Sequence, residues 1–150
     1  MSIHRNRPYA GFNFLVELGG EDARGANAAF NEVILPEAWV EVVEYRPGNM
    51  AGNNALKLTG PEHNTNLVLR RGVNGSLDLY QWWDAVRNGV PGVERNVVIT
   101  LHSEDRAGAV VTWKFINARP VKYSFSPLNG LETGPVYEII ELAFERMQME

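Results

Sequence analysis

The three histidines are the side chains best suited to bind a metal ion or to transfer protons near neutral pH. His4, His63 and His102 are far apart in the sequence, and none has a carboxylate or a second histidine at the spacing of a metal site. The chain contains no cysteine, which excludes disulfides and thiolate metal sites. We therefore expect no metal site and no cofactor.

Two acidic pairs are candidates for acid–base catalysis. Glu41 with Glu44, and Glu138 with Glu141, lie on predicted strands, where solvated faces or interface salt bridges explain them better than a catalytic pair does. The sequence has neither a G-x-S-x-G elbow nor a P-loop lysine. We therefore expect a protein that is not an enzyme.

The segment Gly72-Val73-Asn74-Gly75, directly after Arg70 and Arg71, has the composition of a phosphate nest or a nucleic-acid clamp. The RNA-binding form of this motif needs a helix on both sides, whereas a predicted strand precedes it here. The 14 basic and 18 acidic residues give a net charge of −4, which disfavours tight nucleic-acid binding. The segment is better explained as a structural turn.

An amphipathic helix is predicted at about Ser76–Asn88. Ser76 is a suitable N-cap, because its hydroxyl can accept a hydrogen bond from a free N–H of the first turn. Gly89 stands where a C-terminal glycine stop is expected. Apolar residues at helical spacing form one stripe, which predicts core anchors rather than a ligand-stacking surface. These anchors are Leu79, Trp82, Trp83 and Val86.

Most of the remaining chain alternates between apolar and polar residues, the period of half-buried strands. The predicted strands are Tyr9–Leu18, Phe30–Leu35, Ala38–Arg46, Asn66–Arg70, Val97–Leu101, Val110–Ala118 and Val121–Ser126. Leu56–Leu58 extends a hairpin that Gly60–Thr65 is expected to break again. Tyr137–Met149 fits a helical stripe about as well as a strand with a phase slip near Glu145, so periodicity leaves its structure open.

Length and termini bound the organisation of the protein. A chain of 150 residues is expected to form one domain, residues 1–150, with residues 1–8 as a flexible N-terminal arm. No apolar run approaches the roughly 20 residues that cross a bilayer, and the N-terminus lacks the apolar core of a signal peptide. We therefore expect synthesis in the cytoplasm and no membrane insertion.

Strands with one apolar and one polar face leave sheet edges open to pairing with another chain. Copies that join their sheets edge to edge could form a ring, with the polar faces lining a wet channel. Periodicity therefore favours self-assembly.

Three motifs, in this order, carry a resemblance to a known family: VEVVEYRPG at Val40–Gly48, RRGVNGSLDLYQWW at Arg70–Trp83, and WKFINARPVKY at Trp113–Tyr123. The chain resembles the tail-tube proteins, which form the inner tube of contractile phage tails and contractile injection systems. The similarity runs from about Tyr9 to the C-terminus.

The resemblance implies a β-sandwich or barrel with one packed helix, an extended β-hairpin and a C-terminal strand. It also implies hexameric rings that stack into a hollow tube, which sheath contraction drives through a target envelope. The implied partners are further copies, an outer sheath protein, baseplate or tube-initiator and tube-terminator proteins, and a cargo of DNA or protein. The particle would be a phage tail or an injection particle that is extracellular after release.

The resemblance also suggests residues for assembly. A hairpin loop would reach a neighbouring ring or subunit, and three polar side chains would face the lumen. The loop residues are Pro47, Gly48, Asn49, Met50, Ala51, Gly52, Asn53 and Asn54, and the lumen candidates are Arg70, Lys122 and Ser124.

Two alternatives remain open. One is a related tube protein, either a type VI secretion-like subunit or a tube-initiating ring. The other, from a different class, is a monomeric β-barrel that binds a small ligand, with Trp39 or Trp113 lining its interior.

Overall fold

A computed structural model describes residues 5–19, 30–49, 51–105 and 108–150. Within these ranges the chain is mainly β with a single helix, which confirms the predicted class. The strands are β1 (Phe14–Glu17), β2 (Phe30–Ile34), β3 (Ala38–Tyr45), β4 (Leu56–Asn64), β5 (Leu67–Gly72), β6 (Arg95–His102), β7 (Ala109–Phe125), β8 (Tyr137–Ala143) and β9 (Arg146–Met149), and the helix is α1 (Asp78–Arg87).

Strand β7 belongs to two antiparallel sheets. Its first half lies between β6 and β9, and with β1 these strands form sheet I in the order β1-β6-β7-β9. Its second half pairs with β8, and sheet II continues in the order β7-β8-β5-β2. Among the described strands, β1 and β2 end this path without meeting, so the chain does not close into a barrel. The alternative prediction, a monomeric β-barrel that encloses a small ligand, is therefore wrong.

The core lies between the two sheets, and α1 packs against β7. It is filled by apolar side chains whose alternation along each strand turns them inward. They include Val16, Leu67, Leu69, Leu79, Trp82, Val97, Ile99, Phe115, Ile140 and Leu142.

Strand β7 was predicted as two strands but is continuous over 17 residues. Asn117 has a φ of 53°, a left-handed conformation that asparagine tolerates better than most residues. Its backbone N–H donates to Asn96 Oδ1 at 3.1 Å, and its side-chain amide donates to Glu145 Oε2 at 2.9 Å. These bonds hold the strand where it passes from sheet I to sheet II.

Helix α1 confirms the predicted helix with shorter bounds. Its N-cap is Leu77 rather than Ser76, and no side chain caps the first turn. The Ser76 hydroxyl instead donates to Asp78 Oδ1 at 2.8 Å, which corrects the predicted capping role. The helix ends as expected, with Gly89 at a φ of 72°.

The apolar stripe of α1 is buried unevenly. Leu79 and Trp82 lie in the core, Val86 is half-buried against it, and Trp83 is half-buried. The indole N–H of Trp82 donates to the carbonyl oxygen of Val93 at 2.8 Å, which satisfies its one polar group.

The C-terminal segment forms strands rather than a helix. Strands β8 and β9 are separated by Phe144 and Glu145, close to the predicted phase slip. The N–H of Glu145 donates to Ile116 across this break at 2.9 Å. Both strands therefore run along the same side of β7, as the resemblance implied.

Candidate assembly surface

A two-stranded ribbon leaves the body at one end of sheet II. Strand β3 follows β2 after three residues, and β4 leads into β5, so the β2–β5 pair continues as the β3–β4 pair. Thr65 N–H donates to Glu37 O at 2.9 Å, and Glu37 N–H donates to Thr65 Oγ1 at 2.8 Å. We call residues 38–64 the arm. Because β4 runs through Gly60, the predicted break at Gly60–Thr65 is wrong.

The arm exposes apolar side chains on both faces. Every residue of β3 is exposed, because β3 and β4 pair only with each other among the described strands. Val40 and Val42 alternate with Val43 and Tyr45, as predicted. The face that carries Tyr45 is the more apolar, and we call it the apolar face. Its large apolar side chains are Trp39, Val43, Tyr45, Leu56 and Leu58.

One polar pair interrupts the apolar face. His63 Nε2 lies 2.8 Å from Glu41 Oε1, and the His63 ring lies 5.7 Å from the Trp39 ring. Both partners are exposed, so this contact contributes little to the stability of an isolated chain. In the described part of the chain, no group of three or more His, Asp or Glu side chains could hold a metal ion, and His4 lies outside that part.

The predicted contact loop forms the tip of the arm. Pro47 is half-buried, and the other described residues up to Asn54 are exposed, while Met50 lies outside the described residues. Arg46 donates to Gly52 O at 2.9 Å and to Asn53 O at 3.2 Å. These hydrogen bonds connect the loop to its own ribbon and not to the two sheets.

Sheet II has two free edges. Strand β2 pairs only with β5, and the second half of β7 pairs only with β8 among the described strands. Phe125, at the end of the β7 edge, is 56% exposed. Edges of this kind present unpaired backbone N–H and C=O groups to another chain.

The three lumen candidates share one face of sheet II. Arg70 and Ser124 both lie opposite Ile139 of β8, and Lys122 lies opposite Glu141. Directly paired residues point to the same face, and in β5 and β8 this is the face away from the core. The Arg70 guanidinium stacks over the Tyr137 ring at 3.9 Å. The structure thus places the three side chains together, on the outer face of sheet II.

A buried charged cluster lies on the opposite, core-side face. Arg71 donates to Glu138 and to Asp78, with 3.1 Å between its Nη1 and Asp78 Oδ2, and the Tyr123 hydroxyl donates to Glu138 Oε2 at 2.5 Å. Arg71 is 1% exposed. This cluster was not predicted from the sequence, although an arginine at a core position of an alternating strand was a usable signal.

Opposite charges set the protonation of this cluster. Burial alone would lower the pKa of Arg71, but its hydrogen bonds to Asp78 and Glu138 raise that pKa above the ordinary value. Burial alone would raise the pKa of Asp78, but the bonds from Arg71 and Ser76 lower it. Burial and the adjacent Glu138 carboxylate raise the pKa of Tyr123. Near neutral pH the cluster therefore links α1 to sheet II through hydrogen bonds between charged side chains.

Free sheet edges and an exposed apolar arm are the features of a structural protein that assembles with other chains. Residues 10–148 match the family model of the T4-like virus tail tube protein gp19. The chain therefore belongs to this family of structural tail tube proteins. None of the curated proteins matches it significantly.

Solved structures show the same fold. A chain of the six-fold symmetrised anti-feeding prophage (AFP) baseplate is 26% identical, with a TM-score of 0.84 over 97% of both chains. A chain of the PVC extracellular contractile injection system, in its extended sheath–tube complex, is 24% identical, with a TM-score of 0.82 over 97% of this chain and 93% of that one. A type six secretion system protein is 16% identical, with a TM-score of 0.58 over 92% of this chain and 82% of that one.

These comparisons bear on the sequence-based alternatives. The type six protein shares the fold alone, at low identity. The prediction of a ligand-binding barrel is not supported, because the described strands enclose no interior and Trp39 is exposed on the arm. None of the helices in the described part of the chain has the length and apolar character that a membrane span requires.

Proposed function

We propose that this chain is the protomer of the inner tube of a contractile phage tail or injection particle, and that it forms hexameric rings which stack into the tube. The observation that carries the proposal is that, among the described strands, both edges of the four-stranded sheet II are free. The six-fold symmetry of the AFP baseplate, which contains a similar chain, supports a ring of six.

In the proposed ring, the β7 edge of one copy pairs with the β2 edge of the next. Four strands from each of six copies would then close into one wide barrel around a water-filled channel. Phe125 would be covered at each junction. Because the core-side face of sheet II is occupied, the outer face with Arg70, Lys122 and Ser124 would line the channel.

This outer face carries charges of both signs. Arg70 lies opposite Glu32, with 3.5 Å between Nη1 and Oε2, and Lys122 lies opposite Glu141. Arg119, opposite Ala143, adds a third cation to the same face. A lining of mixed sign with a small positive excess would hold DNA or a protein effector only weakly, which suits the passage of such a cargo.

The proposed partners follow from the comparisons. The similar chains lie in a baseplate and in a sheath–tube complex, so we propose that an outer sheath protein and baseplate or terminator proteins contact this tube. The mechanism is mechanical and uses no catalysis or cofactor.

Electron microscopy of the purified chain at increasing concentration tests the proposal. Rings of six copies, and tubes at high concentration, are expected, with native mass spectrometry giving the number of copies. A chain that stays monomeric at every concentration would rule out the proposed assembly.

A further inference from the structure

The end of sheet II opposite the arm carries a second exposed apolar surface. The β7–β8 connection, residues 126–136, contains two leucines that are almost completely exposed: Leu128 at 83% and Leu131 at 96%. We call residues 126–136 the end loop. Single exposed apolar residues need no explanation, but two in one ordered loop indicate a contact surface.

Four hydrogen bonds, each donated by a backbone N–H, fix the end loop in this conformation. Ser126 N–H donates to Tyr137 O at 2.9 Å, and Tyr137 N–H donates to Ser126 Oγ at 2.8 Å, which close its base. Leu131 N–H donates to Asn129 Oδ1 at 3.0 Å, and Glu132 N–H donates to Asn129 O at 3.3 Å. The turn at Asn129 therefore holds both leucines in solvent.

The arm and the end loop lie at opposite ends of the same strands. Strand β5 begins at Leu67, next to the arm, and ends at Gly72, which lies opposite Tyr137 at the base of the end loop. Strands in a closed barrel run obliquely between its two rims. In a ring, all arms would thus point to one rim, and all end loops to the other.

The two surfaces are also complementary in chemistry. The tip half of the apolar face presents Tyr45 and Leu56, and the segment Arg46–Lys57 has two basic residues and no acidic one. The end loop presents its two leucines, and its one charged residue is Glu132.

We infer that the end loop is the docking site for the arm of a copy in the next ring, so that rings stack head to tail. The inference rests on the proposed tube function and adds the receptor surface for the arm. A contact between two different surfaces of one chain repeats without closing, which a tube of variable length requires. Contacts between two end loops would instead need a second kind of contact, between two arms, before growth could continue.

Cysteine crosslinking tests this contact directly, because the chain has no native cysteine. The variants are Leu56→Cys, Leu131→Cys and the double variant, each assembled and treated with a short bis-maleimide. Covalent oligomers longer than a dimer are expected in the double variant and covalent dimers in mixtures of the two single variants, whereas neither single variant alone should crosslink. Dimers of Leu131→Cys alone would show paired end loops and overturn the inference.

A charge substitution gives an independent readout. Leu131→Asp is expected to abolish tubes but leave rings, whereas Val90→Asp, at an exposed valine on the turn after α1, should leave both. If the unmodified chain forms no rings, the proposed function fails. If it forms tubes that show no Leu56–Leu131 crosslink, or if Leu131→Asp still forms tubes, this inference alone fails.

Discussion

Arg71 of β5 and Glu138 of β8 lie directly opposite each other and form an ion pair that is buried on both sides. Arg71 also reaches Asp78 in the first turn of α1, and Glu138 accepts a hydrogen bond from Tyr123 of β7. Two strands and the helix therefore meet at one guanidinium. Polar groups in a core hold one arrangement of these elements, because any other arrangement would leave a charge without a partner.

Removing the guanidinium should destabilise the fold strongly. Arg71→Met leaves the Glu138 carboxylate buried without its cation, and breaking a buried pair on one side costs about 3–5 kcal/mol. Arg70→Met is the matched control, because Arg70 makes a half-exposed pair with Glu32 and a cation–π contact with Tyr137, and their loss should cost about 1–2 kcal/mol. Urea unfolding of both variants measures the difference. An equal loss of unfolding free energy in the two variants would show that the buried cluster does not stabilise the fold.

Asp78 should make stability fall in acid. Its folded-state pKa is lowered below 3.8, so its contribution is present above that value and is lost as the pH falls through the lower folded-state pKa. Asp78→Asn should therefore unfold at a lower urea concentration than the unmodified chain at about pH 7, and the gap should narrow below about pH 4. A gap that stays constant down to about pH 2 would contradict the assignment.

Local periodicity was sufficient to predict the helix and most strands, because burying one face of a strand imposes a period of two on its sequence. Periodicity could not predict where each residue lies relative to the core of the folded chain. Trp82 and Trp83 looked equivalent, yet only Trp82 enters the core. Ala38–Arg46 was predicted as a half-buried strand, but every residue of β3 is exposed, because the ribbon that carries it leaves the body.

Long-range pairing explains the other differences. The partners Arg71 and Glu138 are 67 residues apart, so no local pattern joins them. The strand predicted to end at Ala118 continues through Pro120, which lies next to a register irregularity of β7, where the missing N–H is tolerated. The lumen candidates were suggested by the family resemblance, and the strand pairing shows that they share one face but not what that face meets.

If the free β7 edge pairs with the next copy in the ring, a charge placed at this edge should prevent ring formation. Phe125→Asp places a charge where the proposed ring covers an apolar side chain, so rings should be lost while the monomer keeps its fold. Phe12→Asp is the control, because Phe12 is 69% exposed, compared with 56% for Phe125, and precedes β1 in sheet I. Native mass spectrometry and circular dichroism separate assembly from folding. Rings of normal mass in Phe125→Asp would refute the proposed junction.

The tip of the arm should matter for stacking and not for folding. Deleting residues 50–54 removes a segment whose described part is exposed and contacts Arg46 of its own ribbon, so the core loses no packing. We expect an unchanged circular dichroism spectrum and urea midpoint, but rings that no longer form tubes in sedimentation and electron microscopy. A shorter deletion, of Asn53 and Asn54 alone, should weaken stacking less, because it leaves Gly52 O as an acceptor for Arg46. If either deletion lowered the urea midpoint clearly, the tip would belong to the folding unit, and the arm would need a different explanation.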